Sequence, residues 1–279
     1  MVKVRISMTI SEDVLQKLDG LVDGRRTRSR SEAIEAVLRQ HVEANKVAVF
    51  LGGGDPEKLR IDGIFRPLVR IRGKCLIEHN LEVLRKAGFR KILFIGSNEL
   101  IGDCFRLLGN GSGHQVSIDY IEERKSLGNA KTLQLAEESL AAPFLVLPVD
   151  NYFDFDLNHL ARVHASNHGL ATIAVQAGRE SVTNQGVVEM AGDLIVGYEE
   201  RPSRPKTFLT STFIGMYDPG VFELIPKGNV RWVLQTNLFR SLISEGKLYG
   251  CILPGTYFNV HSADDVRRIS NTKVLPGNK

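Results

Sequence analysis

The chain opens on a strict alternation of apolar and polar residues. Between residues 2 and 10, apolar side chains fill the five even positions and polar side chains fill the odd ones. Period two is typical of a half-buried strand with one polar face. A helical pattern with an acidic first turn begins after Ser11 and continues to Asp23-Gly24. The sequence therefore predicts a strand followed by a helix.

A second helical pattern follows an arginine-rich loop. Residues 24–30 contain four arginines in seven positions. Ser29 and Glu32, three residues apart, have the spacing of a capping box, which places the start of a helix after Ser29. A strand and two helices in about 45 residues bury too little surface to fold alone. We therefore expect two chains to pair their strands into an antiparallel ribbon over four helices.

The polar face of such a ribbon carries side chains that can read DNA. A two-stranded ribbon fits the major groove, where arginine bonds guanine and hydroxyl groups bond either kind of base. The start of the second helix offers free backbone N–H groups to a phosphate, and its arginine-rich approach adds attraction to any sequence. The residues expected to face double-stranded DNA are Lys3, Arg5, Ser7, Thr9, Arg28, Ser29 and Arg30.

The strand VRISMTI, the Ser-Glu turn and the helix start SRSEAIEAVL lie within residues 2–41. This stretch resembles the ribbon-helix-helix DNA-binding family, the β-ribbon class that includes Arc and MetJ. The resemblance implies an obligate homodimer in which Arg5, Ser7 and Thr9 read bases. The alternative is an edge strand and two helices packed on the larger domain with a solvated charged face. That alternative leaves the arginine cluster beside a capped helix unexplained.

From residue 46 onward, continuous apolar runs replace the alternation. Runs at residues 47–51, 91–95, 116–121 and 144–147 are typical of strands buried on both faces, and residues 76–86 and 130–140 have helical periodicity. Strands that alternate with helices predict an α/β fold with a doubly wound, mainly parallel sheet. We divide the chain into a DNA-binding and dimerisation domain at 1–45 and an α/β domain at 46–279.

Two candidate ligand positions follow strands of this sheet. Gly52, Gly53 and Gly54 end the first apolar run, and Asp150 follows the run at 144–147. In open α/β sheets, ligands bind at the carboxyl ends of the strands. The glycines match neither the dinucleotide fingerprint GxGxxG nor the phosphate loop GxxxxGK[ST]. By themselves they indicate either a phosphate contact or only a tight turn.

Seven segments then follow one another in order: AVFLGGG (48–54), GKCLIEHNLEVLRKAGFRKI (73–92), ERKSLGNA (123–130), LPVDN (147–151), GVVEM (186–190), EERP (199–202) and TYFNVHSADDVRRI (256–269). Together they resemble the sugar nucleotidyltransferase family, which joins a nucleoside triphosphate to a sugar 1-phosphate. The resemblance implies Mg²⁺ held by Asp150 and Asn259. It also implies a nucleotide or nucleotide sugar bound by Leu51, Gly52, Gly53, Gly54, Glu123, Gly128, Gly186, Glu200 and Arg201.

The positions that handle phosphate depart from this family. The loop usually reads GGxGTRL; here it reads Gly53-Gly54-Asp55-Pro56-Glu57-Lys58-Leu59. Proline has no N–H to offer, two carboxylates lie where a triphosphate is expected, and Lys58 lacks the bidentate fork of arginine. Arg66 stands where the family has a signature lysine. Losing one preorganised contact costs about 3–4 kcal/mol of transition-state stabilisation. We therefore regard Lys58 and Arg66 as degenerate catalytic positions and expect binding to survive better than catalysis.

Composition and charge narrow the picture only slightly. The 279 residues are 43% hydrophobic and 24% charged, and the net charge of +4 is too weak to indicate a nucleic-acid partner by itself. The three cysteines are widely spaced and have no metal-ligand spacing. No run approaches the roughly 20 apolar residues of a membrane span, and the N-terminus is no signal peptide. We expect a cytoplasmic, soluble protein without a membrane partner.

These features favour a DNA-binding transcriptional regulator, as a homodimer or higher homo-oligomer, whose second domain senses a nucleotide, sugar phosphate or nucleotide sugar. The alternative is an active Mg²⁺-dependent sugar-1-phosphate nucleotidyltransferase whose N-terminal module dimerises it or regulates its own gene. A weaker alternative is an antitoxin-like module with a protein partner, because nothing after residue 45 resembles a disordered wrapping tail. The sequence identifies neither the base, the sugar nor the operator.

Overall fold

The computed structural model describes residues 6–22, 24, 27–44, 46–178 and 185–272. The chain divides into two compact units, Met1–Asn45 and Lys46–Lys279. None of the helices within these described ranges combines the length and apolar character needed to cross a membrane. All three cysteines are buried free thiols.

The first unit contains two helices, α1 (Glu12–Asp19) and α2 (Arg30–Ala44). Leu18 and Ala33 are its buried apolar residues among those described. The expectation that α1 continues to Asp23-Gly24 was wrong. Gly20 ends the helix, because glycine is a poor helix former, and the next residues form turns in which Leu21 N–H donates to the Leu18 carbonyl.

The structure describes only part of the strand that is expected over residues 2–10. Residues 1–5 lie outside the described part of the chain, and residues 6–10 form no strand in a single copy. Ile6 and Met8 are largely exposed, as are Leu21 and Leu38. A lone strand has no ladder partner. Pairing with a second copy, which would cover these apolar side chains, stays a prediction.

The second unit is built from fifteen strands and six α-helices in its described residues. The longer strands are β1 (Val47–Gly52), β6 (Lys91–Gly96), β7 (Ser117–Glu122), β8 (Phe144–Pro148), β10 (Ala171–Ala177), β11 (Gly186–Ala191), β12 (Leu194–Glu200), β13 (Leu209–Tyr217) and β14 (Leu248–Ile252). The short strands are β2 (Arg60–Ile61), β3 (Ile64–Phe65), β4 (Arg70–Ile71), β5 (Lys74–Cys75), β9 (Asn151–Phe153) and β15 (Tyr257–Asn259).

The helices of this unit are α3 (Leu76–Lys86), α4 (Asn98–Leu108), α5 (Asn129–Gln134), α6 (Leu157–Ser166), α7 (Phe239–Ser244) and α8 (Ala263–Asn271), and a π-helical turn at Leu234–Leu238 precedes α7. The helix predicted at 76–86 is confirmed. The helix predicted over 130–140 is shorter, because α5 ends at Gln134 and a 3-10 turn at Glu137–Ser139 follows.

Nine strands form one mixed sheet in the order β10-β14-β12-β11-β13-β8-β1-β6-β7. β7, β6, β1 and β8 are parallel neighbours, β13 runs antiparallel beside β8, and β10 pairs with both β13 and β14. The antiparallel hairpin β11–β12 attaches at its two sides through the pairs Val187–Thr210 and Leu194–Tyr249. The predicted α/β class with its parallel sheet is confirmed, with antiparallel strands added on one side.

Both faces of this sheet are covered, as continuous apolar runs require. In β1, Ala48 and Phe50 pack into one core, whereas Val49 and Leu51 pack into the core on the opposite face. α3 and α4 cover the first face, and α5 and α7 cover the second. The side-chain period of two thus places alternate residues of one strand in two separate cores.

The strand order reverses beside β1, which fixes where a ligand crevice can form. The chain runs from β1 to β6 and β7 on one side and then returns to β8 on the other. Ligands of doubly wound sheets bind at such a switch point, outside the carboxyl ends of the strands. Gly52 ends β1, Gly53 and Gly54 follow it, and Asp150 follows β8, so both candidate positions flank this point.

Candidate functional site

The glycine loop lies so close to Glu123 that a side chain at Gly53 is excluded. A Cβ atom at Gly53 would lie 2.7 Å from both carboxylate oxygens of Glu123. Gly54 has a φ of +114°, which favours glycine. Leu51, the last apolar residue before the loop, is buried, and its carbonyl accepts from Val149 N–H at 3.2 Å. Close packing therefore favours glycine at Gly53, and the backbone conformation favours it at Gly54, whatever ligand binds.

Glu123 holds this loop from beneath. Its carboxylate accepts the Gly54 N–H at 2.7 Å and the hydroxyl of Thr132, and the residue is 7% exposed. Its own N–H donates to the Gly96 carbonyl at 2.7 Å at the end of the neighbouring strand. Glu123 is predicted to contact a nucleotide, yet both of its carboxylate oxygens already accept hydrogen bonds from the protein.

The segment after the glycines forms a 3-10 turn, Pro56–Leu59, instead of an open phosphate loop. Asp55 caps this turn by accepting from Glu57 N–H at 3.2 Å. Lys58 is 84% exposed and lies 3.8 Å from Asp55 in a surface ion pair. Such exposed pairs contribute little stability. The recorded partner of Lys58 is thus a carboxylate of its own loop.

Arg66 and Asp150 form an ion pair just beyond the carboxyl end of β8. Arg66 Nη1 lies 2.9 Å from Asp150 Oδ2, and the two side chains are only 12% and 11% exposed. Arg66 Nε is buried and has no hydrogen-bond partner among the described residues. Buried polar groups normally have partners. The unpaired Nε is therefore a donor that a ligand oxygen could satisfy.

A hydrogen-bond network fixes the backbone that carries Asp150. Asn80 Nδ2 donates to the Asn151 carbonyl at 2.8 Å, and Asn151 Nδ2 donates to the Thr212 carbonyl at 3.1 Å. The Tyr257 hydroxyl accepts from Asn151 and donates to Thr212. Burial raises the pKa of Tyr257, and the charge of Asp150 raises it further. The backbone directly after Asp150 is thus held by hydrogen bonds to α3, β13 and β15.

Asn259 and His261 belong to the segment 256–269, which passes beside Asp150. Asn259 pairs with Asn151 in the β9–β15 ladder, and Val260 N–H donates to the Asp150 carbonyl at 2.9 Å. Desolvation lowers the pKa of His261. The charge of Asp150 raises that pKa and the charge of Arg66 lowers it. The structure thus brings the predicted metal ligands together with Arg66.

These residues do not fit a magnesium centre as they stand. Mg²⁺ requires near-octahedral oxygen ligands, usually one or two carboxylates with phosphates and water. Here an oxygen of the Asp150 carboxylate is bonded to a guanidinium, and Asn259 offers an exposed amide. Mg²⁺ at Asp150 and Asn259 stays a prediction from the resemblance.

Three residues that the resemblance assigns to a nucleotide or nucleotide sugar, Gly186, Glu200 and Arg201, lie at the open end of the β11–β12 hairpin. Gly186 pairs with Glu200, and a Cβ atom at Gly186 would lie 2.7 Å from the ring of Tyr198. The Tyr198 hydroxyl donates to Glu200, and desolvation raises the Tyr198 pKa. Arg201 has an exposed side chain on a backbone of φ +49°, and its charge also lowers the pKa of His261.

Gly128 lies near the end of the segment 123–130, which begins with Glu123 and is predicted to contact a nucleotide. Its φ is +99°, and a Cβ atom there would lie 2.9 Å from the carbonyl carbon of Trp232. Trp232 N–H donates to the Leu127 carbonyl at 2.8 Å. Only glycine allows these two backbones to approach so closely.

The described residues that are predicted to face DNA are exposed on the first unit. Ser7 and Thr9 are exposed, as are the three residues around the start of α2, Arg28, Ser29 and Arg30. Lys3 and Arg5 lie outside the described residues.

The predicted helix start is confirmed. Ser29 Oγ accepts from Glu32 N–H at 3.2 Å, and Glu32 accepts from Arg28 N–H at 2.6 Å. Arg30 forms a bidentate pair with Asp19, with distances of 2.5 and 2.8 Å, so its guanidinium is already bonded within the unit.

Two contributing residues were missed by the sequence analysis. Thr132 lies nine residues from Glu123, and no pattern in the sequence indicates that they touch. His261 stands two residues after Asn259 in the closing segment, and its titratable ring beside a predicted ligand was a usable signal.

The fold and the site together define a doubly wound α/β domain, with glycines and an acidic residue at a topological switch point, that follows a small helical module. Residues 47–257 match the family model described as nucleotidyl transferase, and residues 4–44 match the model described as ribbon-helix-helix protein, copG family. The chain belongs to the nucleotidyl transferase family and carries an N-terminal ribbon-helix-helix domain. The predicted fusion is confirmed.

The chain is similar to several curated transferases. It is 30% identical over 245 residues to the glucose-1-phosphate thymidylyltransferase of Neisseria meningitidis serogroup A, a match that covers 81% of this chain and 84% of the relative. It is 29% identical over 229 residues to the mannose-1-phosphate guanylyltransferase catalytic subunit beta of Danio rerio, covering 78% of this chain and 62% of the relative. The chain thus spans less than two thirds of the length of the Danio rerio relative.

Solved structures share the fold. A structure described as a glucose-1-phosphate thymidylyltransferase from Bacillus anthracis superposes with a TM-score of 0.72 at 23% identity and covers 81% of this chain and 93% of that chain. A UDP-glucose pyrophosphorylase complexed with UDP-glucose gives a TM-score of 0.67 at 16% identity, covering 81% and 97%. At these identities the likeness concerns the architecture.

Proposed function

We propose that this protein is a DNA-binding transcriptional regulator whose nucleotidyltransferase-like domain binds a nucleotide, sugar phosphate or nucleotide sugar as its effector. The observation that carries the proposal is the internal pairing of groups that the resemblance assigns to the metal and to the nucleotide. Asp150 is bonded to Arg66, and the Gly54 N–H is bonded to Glu123. The ribbon-helix-helix module supplies the output through DNA.

Catalysis of nucleotidyl transfer depends on preorganised charges aimed at the transition state. In this loop Pro56 has no N–H, Asp55 and Glu57 add negative charge, and Lys58 points its charge toward Asp55. Each missing contact costs about 3–4 kcal/mol of transition-state stabilisation, or 10²–10³ in rate. Binding has no transition state to match and tolerates such losses better.

The names of the relatives suggest which ligands to test. Thymidylyl transfer to glucose 1-phosphate yields dTDP-glucose, and guanylyl transfer to mannose 1-phosphate yields GDP-mannose. These nucleotide sugars, with UDP-glucose, the two sugar phosphates and the parent triphosphates, form the candidate effector set. Any effector must bind the DNA-competent and DNA-incompetent states with different affinity, since equal affinity shifts nothing.

An electrophoretic shift on the DNA upstream of the gene tests the proposal. We expect binding that weakens with salt, and an effect of one effector of about 5–150-fold on DNA affinity. Arg5→Ala should cost about 1–3 kcal/mol of DNA affinity if Arg5 reads a base. Arg106→Ala, an exposed pair with Asp103 on α4, is the matched control. Failure of the wild type to bind DNA in a salt-sensitive way would refute the proposal.

The alternative, a working sugar-1-phosphate nucleotidyltransferase with a dimerising N-terminal module, is favoured by one observation. The likeness to curated transferases covers about four fifths of the chain. Pyrophosphate release from Mg²⁺–nucleoside triphosphate and a sugar 1-phosphate distinguishes the two functions. Turnover near ordinary enzyme rates, about 1–10³ per second, would favour the enzyme.

A further inference from the structure

The Arg66–Asp150 ion pair has the geometry of a fixed element of the site. Both side chains are almost buried, and their charged atoms are 2.9 Å apart. Arg66 begins the 3-10 turn Arg66–Leu68, in which its carbonyl accepts from Val69 N–H at 3.2 Å. Asn151, held by the Thr212 carbonyl, anchors the chain directly after Asp150. The pair therefore connects two restrained backbones.

This pairing places the permanent positive charge of Arg66 beside the Asp150 carboxylate, which is the group that a divalent metal would need. A dication at Asp150 would either displace the guanidinium or sit beside it. Displacement leaves the Arg66 charge nearly buried and unpaired, which is strongly unfavourable. Co-occupation places two cations together, and like charges in close contact oppose binding.

The guanidinium also keeps a donor free for a ligand. Arg66 Nε is buried without a partner among the described residues. Arginine binds phosphate oxygens through charged hydrogen bonds, and its charge persists at all ordinary pH values. The pair thus neutralises Asp150 and leaves Arg66 with one donor that has no acceptor among the described residues.

We propose that Arg66 is the resident cation of this site: it takes the place of a metal at Asp150, and the site binds the diphosphate of a nucleotide sugar without a divalent metal. The identity of the ligand rests on the function proposed above. The part that concerns Asp150 and Arg66 does not, and it is tested without any ligand.

The first test is a titration of the full-length protein with Mn²⁺, followed by electron paramagnetic resonance. Mn²⁺ prefers the same oxygen ligands as Mg²⁺. The wild type and Asp150→Asn should bind Mn²⁺ equally, because the wild type has no Mn²⁺ site that depends on Asp150. Arg66→Ala should gain such a site, with affinity higher by on the order of a hundredfold, since a like charge is removed. Adding Asp150→Asn to Arg66→Ala should abolish the gain.

Controls keep this test decisive. Arg106→Ala removes an exposed arginine on α4 and should leave Mn²⁺ binding unchanged. Arg66→Gln repeats the experiment with a polar side chain, and circular dichroism confirms that each variant is folded. An Asp150-dependent Mn²⁺ site in the wild type would overturn the inference. So would the absence of a gain in both folded Arg66 variants.

The second test measures binding of dTDP-glucose, GDP-mannose and UDP-glucose by calorimetry, with Mg²⁺ or with EDTA. The expected result is binding of equal strength in both conditions, weakened on the order of thirtyfold or more by Arg66→Ala. Binding that requires Mg²⁺ in the wild type would overturn the inference and leave the proposed function standing. No binding of any of these ligands would count against the proposed function, whereas the Mn²⁺ result would stand by itself.

Discussion

We expect the Glu123 carboxylate to act as a clamp that holds the glycine loop in place. Its removal should therefore lower the free energy of unfolding. It accepts from Gly54 N–H at 2.7 Å and from the buried Thr132 hydroxyl. Glu123→Ala removes both acceptors at once. Glu122→Ala is the matched control one residue earlier, since Glu122 contacts only the exposed Arg124 among its recorded partners, at 3.0 Å.

The expected magnitude follows from these two hydrogen bonds. A hydrogen bond to a charged group contributes about 1.5–3 kcal/mol. The Gly54 N–H lies in a half-buried loop and recovers part of its loss by bonding water, whereas the Thr132 hydroxyl is buried. We expect Glu123→Ala to lower the free energy of unfolding by about 3 kcal/mol, which is about 6–12 °C in Tm for a domain of this size. Glu123→Gln keeps one acceptor and should cost about half as much.

Urea unfolding followed by tryptophan fluorescence measures this effect in the correct domain, because the only tryptophan of the chain, Trp232, lies in the second unit. Glu122→Ala should change the free energy of unfolding by less than about 0.5 kcal/mol. Thr132→Val should destabilise, and its effect should not add to that of Glu123→Ala, since the two residues share one contact. An effect of Glu123→Ala no larger than that of the control would refute the clamp.

Two further predictions concern stability. Burial lowers the pKa of His164 below its usual 6.5. The unfolded chain therefore takes up the proton first, and the free energy of unfolding declines as the pH falls below about 6.5. Urea melts across pH should show a shallower decline in His164→Gln, and an unchanged one in the exposed control His159→Gln. Gly128→Ala, which forces a methyl group against Trp232 at positive φ, should cost about 1–3 kcal/mol in the same assay, whereas Gly113→Ala, with open space around it, should cost less than about 0.5 kcal/mol.

The sequence predicted the parallel strands β1, β6, β7 and β8 and the helix α3, because buried strands and amphipathic helices have strong local signatures, but it gave no prediction for most other elements of the second domain. The run at 47–51 became β1, and its two-sided burial is what a continuous apolar run requires. The end of α1 was mispredicted, because a local apolar stripe continued past Gly20 and outweighed the helix-breaking glycine. Propensity and pattern conflicted there, and propensity prevailed.

The candidate site was located by its residue types but not by its contacts. Glycines after β1 and Asp150 after β8 are visible in the sequence because strand ends mark the switch point. The partner of Asp150 is Arg66, 84 positions away, and the partner of Gly54 is Glu123, 69 positions away. Such pairs depend on the arrangement of the sheet and the loops around it. Local pattern cannot specify them.

The internal pairing of the site has a consequence for how a ligand acts. A transferase keeps donors and charges ready for the transition state, so that no reorganisation is needed during the reaction. Here Gly54 N–H and Asp150 already have partners in the resting protein. A ligand that binds must compete with or adapt to these bonds, so the bound and free states differ in their contacts. That difference in contacts is what an effector needs in order to shift one conformational state against another. The same pairs that weaken the case for catalysis therefore strengthen the case for regulation.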